Sequence, residues 1–123
     1  MISWEATVSH GMPINDYQAL FGYDNPRSAF LQKVTAKPLD YLKTVLKTNM
    51  SFSADPLAMA VLMEPDIVTE VEEKYVQVER FGRLTRGMTV VDWWGLTNQP
   101  PNTEIVMKVD TLRFFDLMNL AVK

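Results

Sequence analysis

The 123-residue chain has the length of one domain, and 47% hydrophobic with 22% charged residues is close to the globular average, which excludes a disordered polymer. Twelve basic against fifteen acidic side chains give a net charge of −3 with no Lys/Arg cluster, so no nucleic-acid partner is expected. The absence of cysteine excludes disulfides, zinc–thiolate sites and cysteine nucleophiles, and fits a reducing, cytoplasmic setting.

No basic residue precedes Glu5 and no apolar run builds before it, so no signal peptide is read there. Residues 1–7 read as a short strand, and His10-Gly11-Met12-Pro13 as a turn. Asn15 or Asp16 is the expected cap of a short helix carrying Tyr17, Leu20 and Phe21, ended by Gly22. Asp24-Asn25-Pro26 restarts helix, with Phe30, Leu31 and Val34 at helical spacing. Pro38 is expected to interrupt it, leaving Leu39, Leu42, Val45 and Leu46 to a second segment.

Residues 53–65, Ser-Ala-Asp-Pro-Leu-Ala-Met-Ala-Val-Leu-Met-Glu-Pro, organise the rest. Asp55 before Pro56 is a helix-start signal, because a carboxylate accepts from free N–H groups and proline gives up one that has no partner. Leu57, Ala58, Val61 and Leu62 fill one side, and Met59, Ala60 and Met63 the other. Such a helix is expected to be buried all round. It is too short for a bilayer, which needs about 20 apolar residues, so no membrane partner is expected.

Beyond it, Ile67-Val68-Thr69 and residues 75–81 read as strands, 82–87 as a turn, and 88–94 as another strand. Residues 98–102 form a loop. Residues 103–109 make a strand with Ile105, Met107 and Val109 on one face. Asp110 then caps a last helix whose expected buried stripe is Leu112, Phe115, Met118 and Val122.

Few residues suggest chemistry. Asp55 reads either as a plain N-cap or as an oxygen ligand for a hard cation, although calcium takes about 6–8 oxygens and one carboxylate is too few. His10, the single histidine, reads as an exposed turn residue without a nucleophile nearby. Gly82-Arg83-Leu84-Thr85-Arg86-Gly87 fails the phosphate-loop pattern, since Met88 and Thr89 follow where Lys and Ser/Thr are required. It reads as a strand-connecting turn whose arginines bond to neighbouring carbonyls or carboxylates. Glu70, Glu72 and Glu73 read as a solvated acidic patch, and Trp93 and Trp94 as packing residues.

Several blocks taken in order are more specific. Ala54-Asp55-Pro56-Leu57-Ala58-Met59-Ala60, Glu64-Pro65, the run from Gly82 through Asp92, Val109-Asp110 and Phe114-Phe115 resemble the C-terminal part of the inosine-uridine-preferring nucleoside hydrolases. Trp4-Glu5-Ala6-Thr7 is similar to the end of a mid-chain strand in animal-type members. The resemblance implies an α/β fold: residues 1–123 as the C-terminal portion of an open mixed sheet with flanking helices, incomplete as a domain.

It also implies N-glycosidic cleavage of ribonucleosides to ribose and base, with a calcium ion that holds ribose hydroxyls and the attacking water. Asp55 matches the aspartate that the C-terminal part contributes to the metal. Ala54 stands where well-studied members carry a histidine serving the leaving base. The family's N-terminal Asp-x-Asp-x-Gly-x-Asp-Asp motif is absent, as is its ribose-holding Asn segment, so no catalytic residue is assigned. The chain alone is expected to be inactive and to associate with a missing N-terminal portion or with itself. The alternative is a non-catalytic paralogue that acts as a binding or interaction module.

Overall fold

The computed structural model describes residues 1–123. In chain order the elements are helix α1 (Trp4–Ser9), strand β1 (Met12–Pro13), α2 (Ile14–Ala19), α3 (Pro26–Thr44), β2 (Met50–Ser51) and α4 (Ala54–Met63). A 3₁₀ turn (Pro65–Ile67) then leads into β3 (Val68–Lys74), β4 (Val76–Val78), β5 (Thr89–Val91), β6 (Thr103–Val109) and α5 (Thr111–Val122).

The strands pair as three antiparallel ladders, β1 with β2, β3 with β6, and β4 with β5. Ile2 adds a parallel bridge to Val106, so β6 is flanked on both sides and this part of the sheet is mixed. The β3–β6 register shifts on either side of Glu70, an irregularity that bends the strand pair. Around β6 lies the main core: Leu57 and Ala60 of α4, Ile67, Val106 and Val109 of β6, and Phe114 of α5. Thr103–Val109 has the bounds expected for this strand. Its burial differs, because Val106 is covered along with Ile105 and Val109. α4 and the Ile2 side chain pack on the cluster that holds Val106.

The first segment departs from expectation. Residues 1–7 are not a strand beyond the single Ile2 bridge. Ser3 Oγ accepts from Ala6 N–H and Glu5 sits in the first turn, so a capped start favoured by the helix dipole overrides the β-like composition. Neither Asn15 nor Asp16 caps α2, which begins at Ile14, at least two residues earlier than those caps imply, with Pro13 in the cap position and no side-chain cap. It also stops before Gly22, at Ala19.

α3 does begin where Asn25-Pro26 signals it, with Asn25 Oδ1 accepting from Ser28 N–H at 2.9 Å. Pro38 does not interrupt it. Proline there removes one bond to the Val34 carbonyl. Both residues are exposed, so water can replace the lost partner. Of the apolar positions expected to pack, Leu39 is buried and Leu31 and Leu42 are half-buried, while Phe30, Val34, Val45 and Leu46 stay exposed.

α4 also differs from the all-round buried helix of the sequence reading. Only Leu57 and Ala60 are buried, and Leu62 and Met63 are 74% and 72% exposed. The N-cap position is Ser53, with Asp55 second and Pro56 third in the helix, two places later than a proline-first start implies. In α5, Asp110 caps as expected, its Oδ1 accepting from Arg113 N–H at 3.0 Å. Of the expected stripe Val122 is buried and Phe115 and Met118 are half-buried, but Leu112 is exposed and the most deeply buried residue is Phe114.

Only 17 of 123 residues are buried, a small core for this length that leaves several apolar helix and hairpin faces open. No helix is long and apolar enough to cross a membrane.

Candidate functional site

Asp55 lies in the first turn of α4, where a carboxylate complements the partial positive charge of the helix N-terminus. It does not cap the helix, and it is in none of the chain's ion pairs, which join Lys74 to Glu72, Lys108 to Glu70 and Arg113 to Glu64. It is exposed. Nothing within the chain occupies this carboxylate, which leaves it available to an outside ligand. Ala54, immediately before it, is the first residue of α4 and brings no polar side chain.

Whether the residues at hand suit a calcium ion is decided by the donor set. No group of three or more Asp, Glu, His or Cys comes together anywhere in the chain. Calcium requires about 6–8 oxygens, several of them carboxylate. The chain therefore does not fit a calcium site by itself, since the single carboxylate of Asp55 offers two oxygens at most.

His10 is placed differently from expectation. It is buried, at the C-cap of α1. Its Nε2 accepts from Val109 N–H at 3.2 Å, which assigns the proton to Nδ1 and makes that nitrogen the donor to Thr111 Oγ1 at 2.6 Å. Burial lowers its pKa below the usual imidazole range. With both ring nitrogens engaged, His10 is a clasp joining α1 to the β6–α5 corner. Its sequence neighbour Gly11 suggested a turn; nothing local could disclose partners about a hundred residues away.

A second clasp closes the other end of α4. Arg113 donates from Nε and Nη2 to Glu64 Oε1 and Oε2 at 2.6 and 2.7 Å, a bidentate pair that lowers the Glu64 pKa and raises that of Arg113. It ties the C-terminal end of α4 to the first turn of α5.

The Gly82–Gly87 segment is the strand-connecting turn that the sequence suggested, but carboxylates organise it rather than arginines. Glu79 Oε1 accepts from Phe81 and Gly82 N–H at 2.7 and 2.9 Å, and these bonds depress its pKa. Gly87 has φ +90°, a conformation that favours glycine. Asp92 performs the same service beyond β5. It accepts from Leu96 N–H, Thr97 N–H and Thr97 Oγ1, with the hydroxyl bond foremost in lowering its pKa. Trp93 and Trp94 do not pack inside the chain; Trp94 is 86% exposed and Trp93 lies only beneath the Lys74 ammonium. Glu70 and Glu72 remain at the surface, paired with Lys108 and Lys74.

A groove of about 490 Å³ opens between α4 and α5, with Met59, Met63, Leu117, Leu120 and Phe21 on its walls. Nearly every wall residue is apolar. A sugar hydroxyl would find almost no hydrogen-bond partner there, so the groove is unsuited to a nucleoside.

The sequence matches the family profile described as "Inosine-uridine preferring nucleoside hydrolase" over residues 1–116. A pyrimidine-specific ribonucleoside hydrolase, RihA, from Klebsiella pneumoniae is 45% identical over 64 residues, 52% of this chain and 20% of that protein. Its namesake from Salmonella schwarzengrund is 45% identical over 69 residues, 56% of this chain and 22% of that protein. A solved inosine-guanosine nucleoside hydrolase superposes on 97% of this chain and 37% of its own, with 28% identity and a TM-score of 0.83. A purine-preferring ribonucleoside hydrolase from Gardnerella vaginalis shares the fold over 99% of this chain and 38% of its own, at 24% identity and a TM-score of 0.76. The chain thus spans about a fifth of the length of the curated relatives and under two fifths of the solved ones.

Proposed function

The chain belongs to the inosine-uridine preferring nucleoside hydrolase family, as a C-terminal-like portion of that fold, and on this premise we propose that it supplies the Asp55 side of a ribonucleoside hydrolase site. The reaction of the complete fold is cleavage of the N-glycosidic bond of a ribonucleoside to ribose and free base. Calcium is the proposed metal, and Asp55 the one ligand contributed from these residues. The carrying observation is that Asp55 is exposed and ion-paired to nothing at the head of a helix clamped at its far end, while no carboxylate cluster stands with it. On this reading the chain by itself is inactive, because the remaining metal ligands and the groups that hold ribose lie in the rest of the fold.

Two measurements test this. The purified chain is assayed for release of ribose from inosine and uridine with calcium, beside Asp55→Ala; equal background from both is expected, and calcium-dependent turnover lost in the variant overturns the inactivity. A chimera in which residues 1–123 replace the matching region of the inosine-guanosine nucleoside hydrolase is then titrated with calcium. The chimera is expected to bind the ion and the Asp55→Ala chimera to bind it at least about tenfold more weakly, a loss of about 1.4 kcal/mol. Equal affinity removes Asp55 from the site.

Ala54 favours a second reading, a binding module without catalysis. No side chain there can donate a proton to a leaving base, and His10 is committed to Val109 and Thr111. A chimera that binds calcium and nucleoside without cleaving it selects this reading.

A further inference from the structure

We propose that the exposed stripe of α4, formed by Ala58, Met59, Leu62 and Met63, is the seam on which the complementary portion of the nucleoside hydrolase fold docks, and that this docking closes the space in front of Asp55. The inference rests on the family reading above and adds the surface through which the site is assembled.

The first observation is helical geometry. Residues 55, 58, 59 and 62 recur at three- and four-residue steps and so share one face. Asp55 is therefore the polar head of the same face that carries Met59 and Leu62. The opposite face, Leu57 and Ala60, is already spent on the chain's own core. On the outward face Met59, Leu62 and Met63 are 54%, 74% and 72% exposed. Met59 and Met63 also form one wall of the apolar groove between α4 and α5, so the open surface continues beyond the helix.

The second observation identifies the occupant. In the solved inosine-guanosine nucleoside hydrolase the matching region is 37% of the chain, and it superposes on 97% of this one with a TM-score of 0.83. More than half of that relative's chain lies outside the matched region. The stripe bears no charge, so what covers it is apolar. It begins at an unpaired carboxylate, so what covers it also brings polar groups to that end. The complementary portion of a metal-dependent hydrolase fold meets both demands. A second copy would set two unpaired Asp55 ends against an apolar face or against each other, with no charge to offset them.

The experiment uses the chimera described above and reads folding independently of activity. Leu62→Glu/Met63→Glu is introduced into the isolated chain and into the chimera. In the isolated chain both side chains are exposed, so the circular dichroism spectrum and the melting temperature are expected to be unchanged. In the chimera the same pair places two carboxylates in an apolar seam, and the melting temperature is expected to fall by roughly 10 °C or more, or the fold to be lost. Leu62→Met/Met63→Leu restores an apolar surface and is expected to melt close to the parent chimera. Gln99→Glu, in an exposed loop, controls for added charge.

A Leu62→Glu/Met63→Glu chimera that melts with its parent overturns the proposal. So does a parent chimera that does not fold, since the stripe would then not fit the fold assigned to it. A discrete dimer of the isolated chain, broken by the double variant while the chimera is indifferent to it, assigns the stripe to self-association instead. If the chimera folds, responds at the stripe and still cleaves no nucleoside, the docking surface stands and the enzymatic reading fails.

Discussion

Two β units of this chain carry similar strand chemistry and meet opposite fates. In the β3–β6 pair, β6 buries Val106 and Val109 against α4 and α5, and Ile105 is buried as well. In the β4–β5 hairpin, not one residue from Tyr75 to Asn98 is buried, although the segment holds Val76, Val78, Phe81, Leu84, Val90, Trp93, Trp94 and Leu96. The first is held by what it packs on. The second is held by its turns, through the carboxylates of Glu79 and Asp92 that collect free backbone N–H groups. Apolar sequence therefore does not by itself make core. A strand becomes core only when the same chain offers a second surface, and the hairpin has none.

Core truncation sharpens the contrast most. Phe114 is 1% exposed and packs within the α4–β6–α5 cluster. Phe114→Ala is expected to destabilise the chain by about 3–5 kcal/mol, a large share of a small domain's stability. Trp94→Ala removes a larger side chain that is 86% exposed, and a change within about 0.5 kcal/mol is expected. Urea unfolding of both variants checks this, and comparable losses would erase the distinction between the two units.

His10 tests the clasp at the edge of the core. In His10→Phe the Val109 N–H loses its acceptor in a buried place, and a loss of about 1–3 kcal/mol is expected. The wild type also carries a pH signature. Burial sets the folded-state pKa below the ordinary value of 6.5, so as pH falls through 6.5 the unfolded chain takes up a proton before the folded one does. The contribution of His10 is complete above that value and declines as pH drops toward the lower folded pKa. Denaturant midpoints measured from pH 8 to 5 should fall in the wild type and lose that component in His10→Phe.

How much of this was legible follows the same division. Thr103–Val109 and the Asp110 cap could be read because strand composition and N-cap chemistry are local, and here packing agrees with them. The run at 1–7 misled because Ser3 and Glu5 start a helix more effectively than β-type residues resist it. α4 was legible as a helix, but its burial was not: its composition is apolar on every side, while only one side finds a partner. The tryptophans failed for the same reason. Asp55 could be singled out by its motif, and the structure leaves it exposed and unpaired in the first turn of α4. His10 was unreadable because its partners, Val109 and Thr111, are joined to it only by the fold.

The hairpin supplies the smallest effect and the most local one. Asp92 accepts from two backbone N–H groups and the Thr97 hydroxyl, bonds that all favour the ionised carboxylate. Asp92→Asn keeps the shape and removes the charge. Because the segment buries nothing, global unfolding should not register the change, whereas amide exchange at Leu96 and Thr97 should quicken. The same protection should respond to acid in the wild type. The folded pKa is depressed, so the stabilisation is complete above the ordinary aspartate range and is lost as pH falls through the lower folded value. Glu79 follows the same sign at Phe81 and Gly82. Exchange that is instead slow in both variants down to the acid limit would mean that the hairpin is held by packing after all, and its difference from the β3–β6 pair would be one of degree.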